Sequence, residues 1–190
     1  TQGKGPQITT YGNPNATWEE AKKLDIGLEL GLFNTLNIEA AYFTEDRTGI
    51  FMRRTSLPSS TGLLGVTPYG NIGRVKSHGV DLSAVYNKQF GKDWSLSLRG
   101  TFTFSRNEVV EKDEGDLMYD YMSVVGHPVN AITGVLVADG LFTSQEEIDN
   151  SPKQQFGNYT VGDIKYRDLN GDGIVDGNDV TTAGSPTVPE

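Results

Sequence analysis

The residues best suited to chemistry lie in the run Asp168-Leu169-Asn170-Gly171-Asp172-Gly173-Ile174-Val175-Asp176-Gly177-Asn178-Asp179. Oxygen-bearing side chains fall at its first, third, fifth, ninth and twelfth positions, with Gly at the sixth, where the chain must turn tightly. A hard cation such as calcium asks for six or more oxygens. Asp168, Asn170, Asp172, Asp176 and Asp179, with the Ile174 carbonyl at position seven, supply them from one loop. Asp179 is shorter than the Glu found at the twelfth position of tight calcium loops, and no helix is readable on either side. The expectation is a structural calcium ion that braces a loop. The competing reading is an acidic turn with solvated carboxylates. A dockerin-like module lacks support, because no second repeat follows before Thr181-Thr182-Ala183-Gly184-Ser185-Pro186.

Other chemistry is thin. His78 and His127 are the only histidines, and neither stands at a spacing from acidic residues that makes a triad or a metal site. They read as polar loop residues, and Arg53-Arg54 as a solvated pair. Without cysteine there is no disulfide framework, thiol chemistry or cysteine-ligated zinc. Carboxylates are plentiful, but no pair of them is marked out as a glycosidase acid and nucleophile. The chain is not read as an enzyme.

The net charge of -9 is unevenly placed. Residues 1–105 carry nine acidic and eleven basic side chains, residues 106–190 sixteen and five. Nucleic acid is therefore excluded as a partner of the second half, which suits a cation or a neutral ligand such as a sugar. No segment has the roughly 18 continuous apolar residues of a membrane helix; strands of a membrane barrel, about 9–11 residues long and half polar, are not excluded.

The elements that position these residues are strands. Leu24, Ile26, Leu28, Leu30 and Leu32 alternate with Asp25, Gly27, Glu29 and Gly31, and Leu36, Ile38, Ala40 and Tyr42 alternate with Asn37, Glu39 and Ala41. Parity demands an odd loop, Phe33-Asn34-Thr35, which sets Leu32 against Leu36, Leu30 against Ile38, Leu28 against Ala40 and Ile26 against Tyr42. Asn34 or Thr35 is expected to take the unusual dihedral, Asn34 being better suited. A second hairpin repeats the logic through Gly91-Lys92-Asp93, with Phe90 opposite Trp94, Tyr86 opposite Leu98, Ala84 opposite Gly100 and Leu82 opposite Phe102.

The expected organisation is a polar extracellular loop segment over 1–20, a first barrel hairpin over 21–47, an extracellular loop over 48–73 centred on Leu57-Pro58-Ser59-Ser60-Thr61-Gly62, a second barrel hairpin over 74–107, and an acidic extracellular excursion over 108–190. Short strands are expected around Ile50 to Arg53 and Val161 to Tyr166, and a helical turn from Ser144 to Asn150 with Ser144 capping Glu146 and Glu147. The chain reads as a piece of something longer.

A soluble β-sandwich would bury the leucine face under a second sheet, but no ladder of comparable length follows Phe104. In a membrane barrel that face meets lipid. Phe33, Phe90 and Trp94 at the short-loop end, and Tyr42, Phe43, Phe102 and Phe104 at the other, would then form two aromatic girdles, while Glu29, Glu39, Asp81 and Arg99 face a polar lumen. The fold expected is all-β: antiparallel up-and-down strands forming part of a transmembrane β-barrel wall with long extracellular loops. The alternative is a secreted, soluble β-rich module that binds calcium and carbohydrate.

Asn13-Pro14-Asn15-Ala16-Thr17-Trp18-Glu19, Leu57 to Gly62, Asn71-Ile72-Gly73 leading into His78-Gly79-Val80-Asp81-Leu82, and Phe104-Ser105-Arg106-Asn107-Glu108-Val109 resemble, in order and spacing, the later barrel region of SusC/RagA-type TonB-dependent outer-membrane transporters. So do Val137-Ala138-Asp139-Gly140-Leu141-Phe142, Ser144 to Ile148, and Gly162-Asp163-Ile164-Lys165-Tyr166 running into Asp168 to Gly173. The resemblance covers nearly the whole chain. It implies an importer in the outer membrane of Bacteroidota, with a barrel of about 22 strands around a plug. It also implies a SusD-like surface lipoprotein as partner, a glycan or, less often, a peptide as substrate, and TonB engaged through regions outside these residues. Where the family carries aromatics near the glycine of Gly126 to Val135, this chain has Ile132 and Val135, which weakens sugar stacking by that loop.

Overall fold

The computed structural model describes residues 12–56 and 68–184, which fall into two compact units. The predicted loop centre at 57–62 and the first part of the 1–20 segment lie outside the described residues.

The first unit is one four-stranded antiparallel sheet in the order β1 (Glu20–Leu32), β2 (Leu36–Arg53), β3 (Tyr69–Phe90) and β4 (Trp94–Glu111). Every expected cross-strand pair of both hairpins is present. Because the turns keep the strands in phase, four rows on one face are apolar: Leu32-Leu36-Tyr86-Leu98, Leu30-Ile38-Ala84-Gly100, Leu28-Ala40-Leu82-Phe102 and Ile26-Tyr42-Val80-Phe104. This face lies open. Leu24, Ile26 and Leu28 are each more than half exposed, and every residue of β1 is exposed.

The first turn departs from expectation in detail. Phe33 as well as Asn34 has a left-handed backbone, with φ 56° and 53°. The Thr35 amide donates to the Leu32 carbonyl at 3.1 Å, so these two are the central residues of a tight turn, and the primed turns that match strand twist need positive φ at both centres. Thr35 is the odd residue; its carbonyl accepts from the Asn87 amide at 2.7 Å, which ties the turn to β3.

Strand ends differ more. Pairing continues past Arg47 to Arg53 opposite Tyr69, so the short strand expected around Ile50 to Arg53 is the end of β2 itself, and 69–73, expected as loop, pairs with it. The register shifts beside Gly49, at φ 68°, where the alternating pattern breaks, and such a bulge hides the continuation from periodicity. Asn71 repairs it: its carboxamide donates to the Gly49 carbonyl at 2.8 Å and pairs with the Thr17 backbone in both directions, at 2.8 and 2.9 Å.

Phe43 also departs from its expected place in a girdle. It stands opposite Gly79 on the polar face, its ring over the glycine. A Cβ at Gly79 would run into that ring and the Phe104 carbonyl.

Among the described residues, the second unit takes in 54–56 and 113–184. Its described strands are β5 (Ile132–Leu136), β6 (Ala138–Leu141), β7 (Lys153–Gln154), β8 (Ile164–Tyr166), β9 (Ile174–Val175) and β10 (Val180–Ala183), paired as β10-β5, β6-β8 and, in parallel, β7-β9. The expected 161–166 strand is the shorter β8, and α1 (Gln145–Asp149) starts where predicted, with the Ser144 hydroxyl accepting from the Glu147 amide at 3.2 Å. Phe142 and Val175 are its buried apolar residues among those described, joined by the polar Gln154, Asp179 and Thr182.

Glu147 locks α1 to the strands. Its carboxylate accepts from the Thr143 amide and hydroxyl, at 2.9 and 2.8 Å, and from Lys165 at 3.0 Å. The Thr143 amide, then Lys165 and the Thr143 hydroxyl, hold its pKa down at about 2.

Two predictions follow from these contacts. Gly79→Ala should destabilise the full-length barrel by about 1–3 kcal/mol through overpacking, whereas Gly100→Ala, with open space at its Cβ, should stay within about 0.5 kcal/mol; detergent unfolding curves that coincide for the two would refute this. For Glu147, a depressed folded pKa stabilises above its ordinary value of 4.5, and the gain is lost as pH falls from there to about 2. The melting difference between wild type and Glu147→Gln should therefore be full at pH 6 and close across that window.

Candidate functional site

The sheet's second face is built by the same alternation. Its rows are Gly31-Asn37-Val85-Arg99, Glu29-Glu39-Ser83-Thr101 and Gly27-Ala41-Asp81-Thr103. Glu29, Glu39, Asp81 and Arg99 thus share the face opposite the leucines, as expected. The first three, with Ser83, Thr101 and Thr103, border a concavity of about 670 Å³. Carboxylates and hydroxyls with small residues between them make a hydrated, acidic surface.

Each end of the apolar band is marked by a cation lying over an aromatic ring. Lys88 sits 5.3 Å from the Phe90 ring centre near the tight turns, and Arg106 sits 5.4 Å from that of Phe104 at the far end. Beyond Arg106 the rows become Leu24-Thr44-His78-Arg106 and then Lys22-Asp46-Lys76-Glu108. Arg74 clasps Asp46 with two bonds, at 2.8 and 2.6 Å, and on the opposite face Glu45 joins Lys23 at 3.1 Å and Arg47 at 2.8 Å. Both faces are charged here, as a sheet wetted on both sides requires. His78, expected in a loop, stands instead within β3 in this border, between Thr44 and Arg106.

In the 168–179 loop the predicted ligands are spent on backbone amides. Asp168 accepts from Gly171 at 2.6 Å and Gly173 at 2.8 Å, Asn170 from Asp172 at 2.8 Å, Asp172 from Ile174 at 2.8 Å and Asp176 from Asn178 at 2.7 Å. Asp179 is fully buried and binds the amides of Leu169, Asn170 and Asp176, at 2.7, 3.3 and 2.9 Å. Each loop carboxylate thus accepts one or more backbone N–H bonds while its oxygens keep further lone pairs. Among the described residues, no three acidic or histidine side chains are grouped to hold a metal ion. Tyr121 closes the loop from outside, its hydroxyl donating to the Asn178 carbonyl at 2.5 Å and its ring stacked on Tyr119. Burial, then the charge of Asp179, pushes its phenol pKa up.

Arg54, read as solvated, has its Nε 4.0 Å from the Asp113 carboxylate. Sequence reasoning missed Gln154, whose side chain bonds the β8 backbone at Ile164 and Tyr166. Nothing in its neighbourhood in the sequence signals that role.

Comparison with known proteins agrees with this geometry. The sequence profile of the family described as "TonB dependent receptor-like, beta-barrel" matches residues 2–186. TonB-dependent receptor P26 of Formosa agariphila is 31% identical across 97% of the chain, and TonB-dependent receptor P3 of the same organism 26% identical across 98%. The chain spans 19% of the length of each, about a fifth. Among solved structures, the RagAB peptide importer in its closed-closed state superposes with a TM-score of 0.61 over 93% of this chain and 19% of that one, at 20% identity. A second RagAB peptide transporter structure gives 0.60 at 21% identity. The register that puts every leucine of two hairpins on one open face and Glu29, Glu39 and Asp81 on the other is that of a barrel wall, and the chain belongs to the TonB-dependent receptor-like β-barrel family.

Proposed function

We propose that the chain is a wall-and-loop portion of an outer-membrane importer that takes up glycans or related nutrients with a SusD-like lipoprotein, driven through TonB by regions outside these residues. The observation that carries this reading is the four-row apolar band. Its rows run from Ile26 to Leu32, and with the bordering Leu24 row β1 reaches the length of about 9–11 residues that a tilted barrel strand needs to cross a bilayer. Lipid covers the leucines, Glu29, Glu39, Asp81 and Arg99 line the lumen, the tight turns at 33–35 and 91–93 face the periplasm, and the long connections lie outside. An acidic, hydroxyl-rich lumen favours neutral or cationic cargo. RagAB, the structural neighbour, is a peptide importer by its own description, so peptide is the second cargo to test. A soluble sugar-binding module is disfavoured because the band stays open to solvent.

In cells expressing the full-length protein, accumulation of labelled oligosaccharide should stop on adding a protonophore, and accumulation that continues would overturn the import reading. Leu28→Arg should cost about 2–4 kcal/mol of barrel stability in lipid, against little for Glu29→Arg on the lumen face.

We further propose that Asp168, Asn170, Asp172, the Ile174 carbonyl, Asp176 and Asp179 take a structural calcium ion, their remaining lone pairs supplying the ligands. The spacing of the oxygen-bearing residues supports this. Calcium at about 100 times its Kd should stabilise the loop by about 2.7 kcal/mol, and Asp172→Asn should weaken that response. A melting temperature indifferent to millimolar calcium would remove the ion.

A further inference from the structure

The second unit carries a recess of about 300 Å³ that the cation loop and the lumen face do not include. Phe156, Asn158, Tyr159, Asp163 and Tyr166 border it, and Gln154 forms its floor. The size is at the lower end of the range for ligand clefts, about 300–1,000 Å³.

Its groups are held in place without being used up. The Tyr159 ring stacks on the buried Phe142, centres 5.4 Å apart, so the ring is backed by the unit's core. The Tyr159 hydroxyl accepts from the Gln154 amide at 3.3 Å and keeps its own proton to donate. Asp163 spends Oδ2 on the Thr160 amide at 2.7 Å and presents Oδ1. The Asn158 carboxamide and the Tyr166 hydroxyl form no hydrogen bond among the described residues. Phe156 is 56% exposed, far more than ring burial would allow, and Gly157, at φ 137°, lets the chain reverse between it and Asn158.

Two observations narrow the ligand. The β8 edge toward Gln154 is closed: its carboxamide donates to the Ile164 carbonyl at 3.2 Å and accepts from the Tyr166 amide at 2.7 Å, as a neighbouring strand would. A peptide therefore cannot add to that edge by main-chain pairing. No lysine or arginine lines the recess: Lys165 is held by Glu147 at 3.0 Å, Arg167 by Asp139 at 2.8 Å, and Lys153, next to the buried Gln154, is exposed and outside the lining. An anionic ligand would meet Asp163 with nothing to offset it.

We propose that this recess is a subsite for a neutral sugar, a pyranose ring laying its C–H face on Phe156 or Tyr159 while its hydroxyls bond the Asn158 carboxamide and the free oxygen of Asp163. Exposed ring faces and unspent neutral and acidic hydrogen-bonding groups are the combination that a polyol with one apolar face satisfies. The subsite deepens the import reading by naming a neutral glycan as cargo, and it rests on that reading for its place in transport.

The test uses the full-length transporter in detergent, titrated calorimetrically with maltohexaose, cellohexaose, mannohexaose, xylohexaose, hexagalacturonate and a random hexapeptide pool. At least one neutral hexasaccharide should bind, and Phe156→Ala and Asn158→Ala should each weaken it about tenfold with melting temperatures unchanged. The subsite is overturned if no neutral hexasaccharide binds, if both variants bind sugar as the wild type does, or if only the acidic sugar or the peptides respond to the substitutions. Sugar binding that depends on Phe156 without protonophore-sensitive uptake would instead overturn the import reading and leave the subsite standing.

Discussion

In a pleated sheet a shift of one residue exchanges the two faces, and this sheet has no tolerance for that exchange. A slip of β1 against β2 would turn Leu24 to Leu32 onto the face of Asp81 and Arg99 and Glu29 onto the apolar face. Two odd turns prevent it. Thr35 is the residue that makes the first loop odd, and its carbonyl also takes the Asn87 amide, so one position sets the phase of β1 against β2 and helps to set that of β3. Gly79 enforces the same phase by sterics, since only a residue without Cβ fits between the Phe43 ring and the Phe104 carbonyl.

The strands outrun the apolar band. Beyond Arg106 the rows turn to charged partners on both faces, and the Gly49 bulge is closed by the Asn71 carboxamide. A strand wetted on both sides gains little from burial, so its length there depends on hydrogen bonds and ion pairs. Exposed pairs such as Arg47 with Glu19 contribute little each; the paired backbone carries the extension.

How far the sequence was legible follows from that division. Where one face is apolar, parity alone determines register, and the pairs from Leu32-Leu36 to Leu82-Phe102 were readable. Where both faces are polar, alternation carries no signal, and the continuity of β2 with the strand expected around Ile50 to Arg53 was hidden behind a bulge. Phe43 was misplaced because its ring suggested a girdle while its parity put it opposite Gly79. Phe33 was passed over for the left-handed position because its side chain disfavours it; turn closure overrode that preference. In the second unit β7 and β9 are two-residue strands, too short for any periodicity, and the Asp168 to Asp179 spacing was clear while the amide partners of its carboxylates were not.

The second unit shows what replaces apolar packing when few large side chains are buried. The buried Asp179 carboxylate gathers three amides of its own loop, and the loop leads through Gly173 into β9. There the Gly173 carbonyl receives the Lys153 amide and the Val175 carbonyl the Gln155 amide. β7 is thereby fixed, and with it Gln154, whose carboxamide stands in for a strand beside β8 and floors the recess of Tyr159 and Tyr166. Each link is a directional bond between groups that would be costly to leave unpaired when buried. A disturbance at Asp179 should therefore reach the recess through β9 and β7.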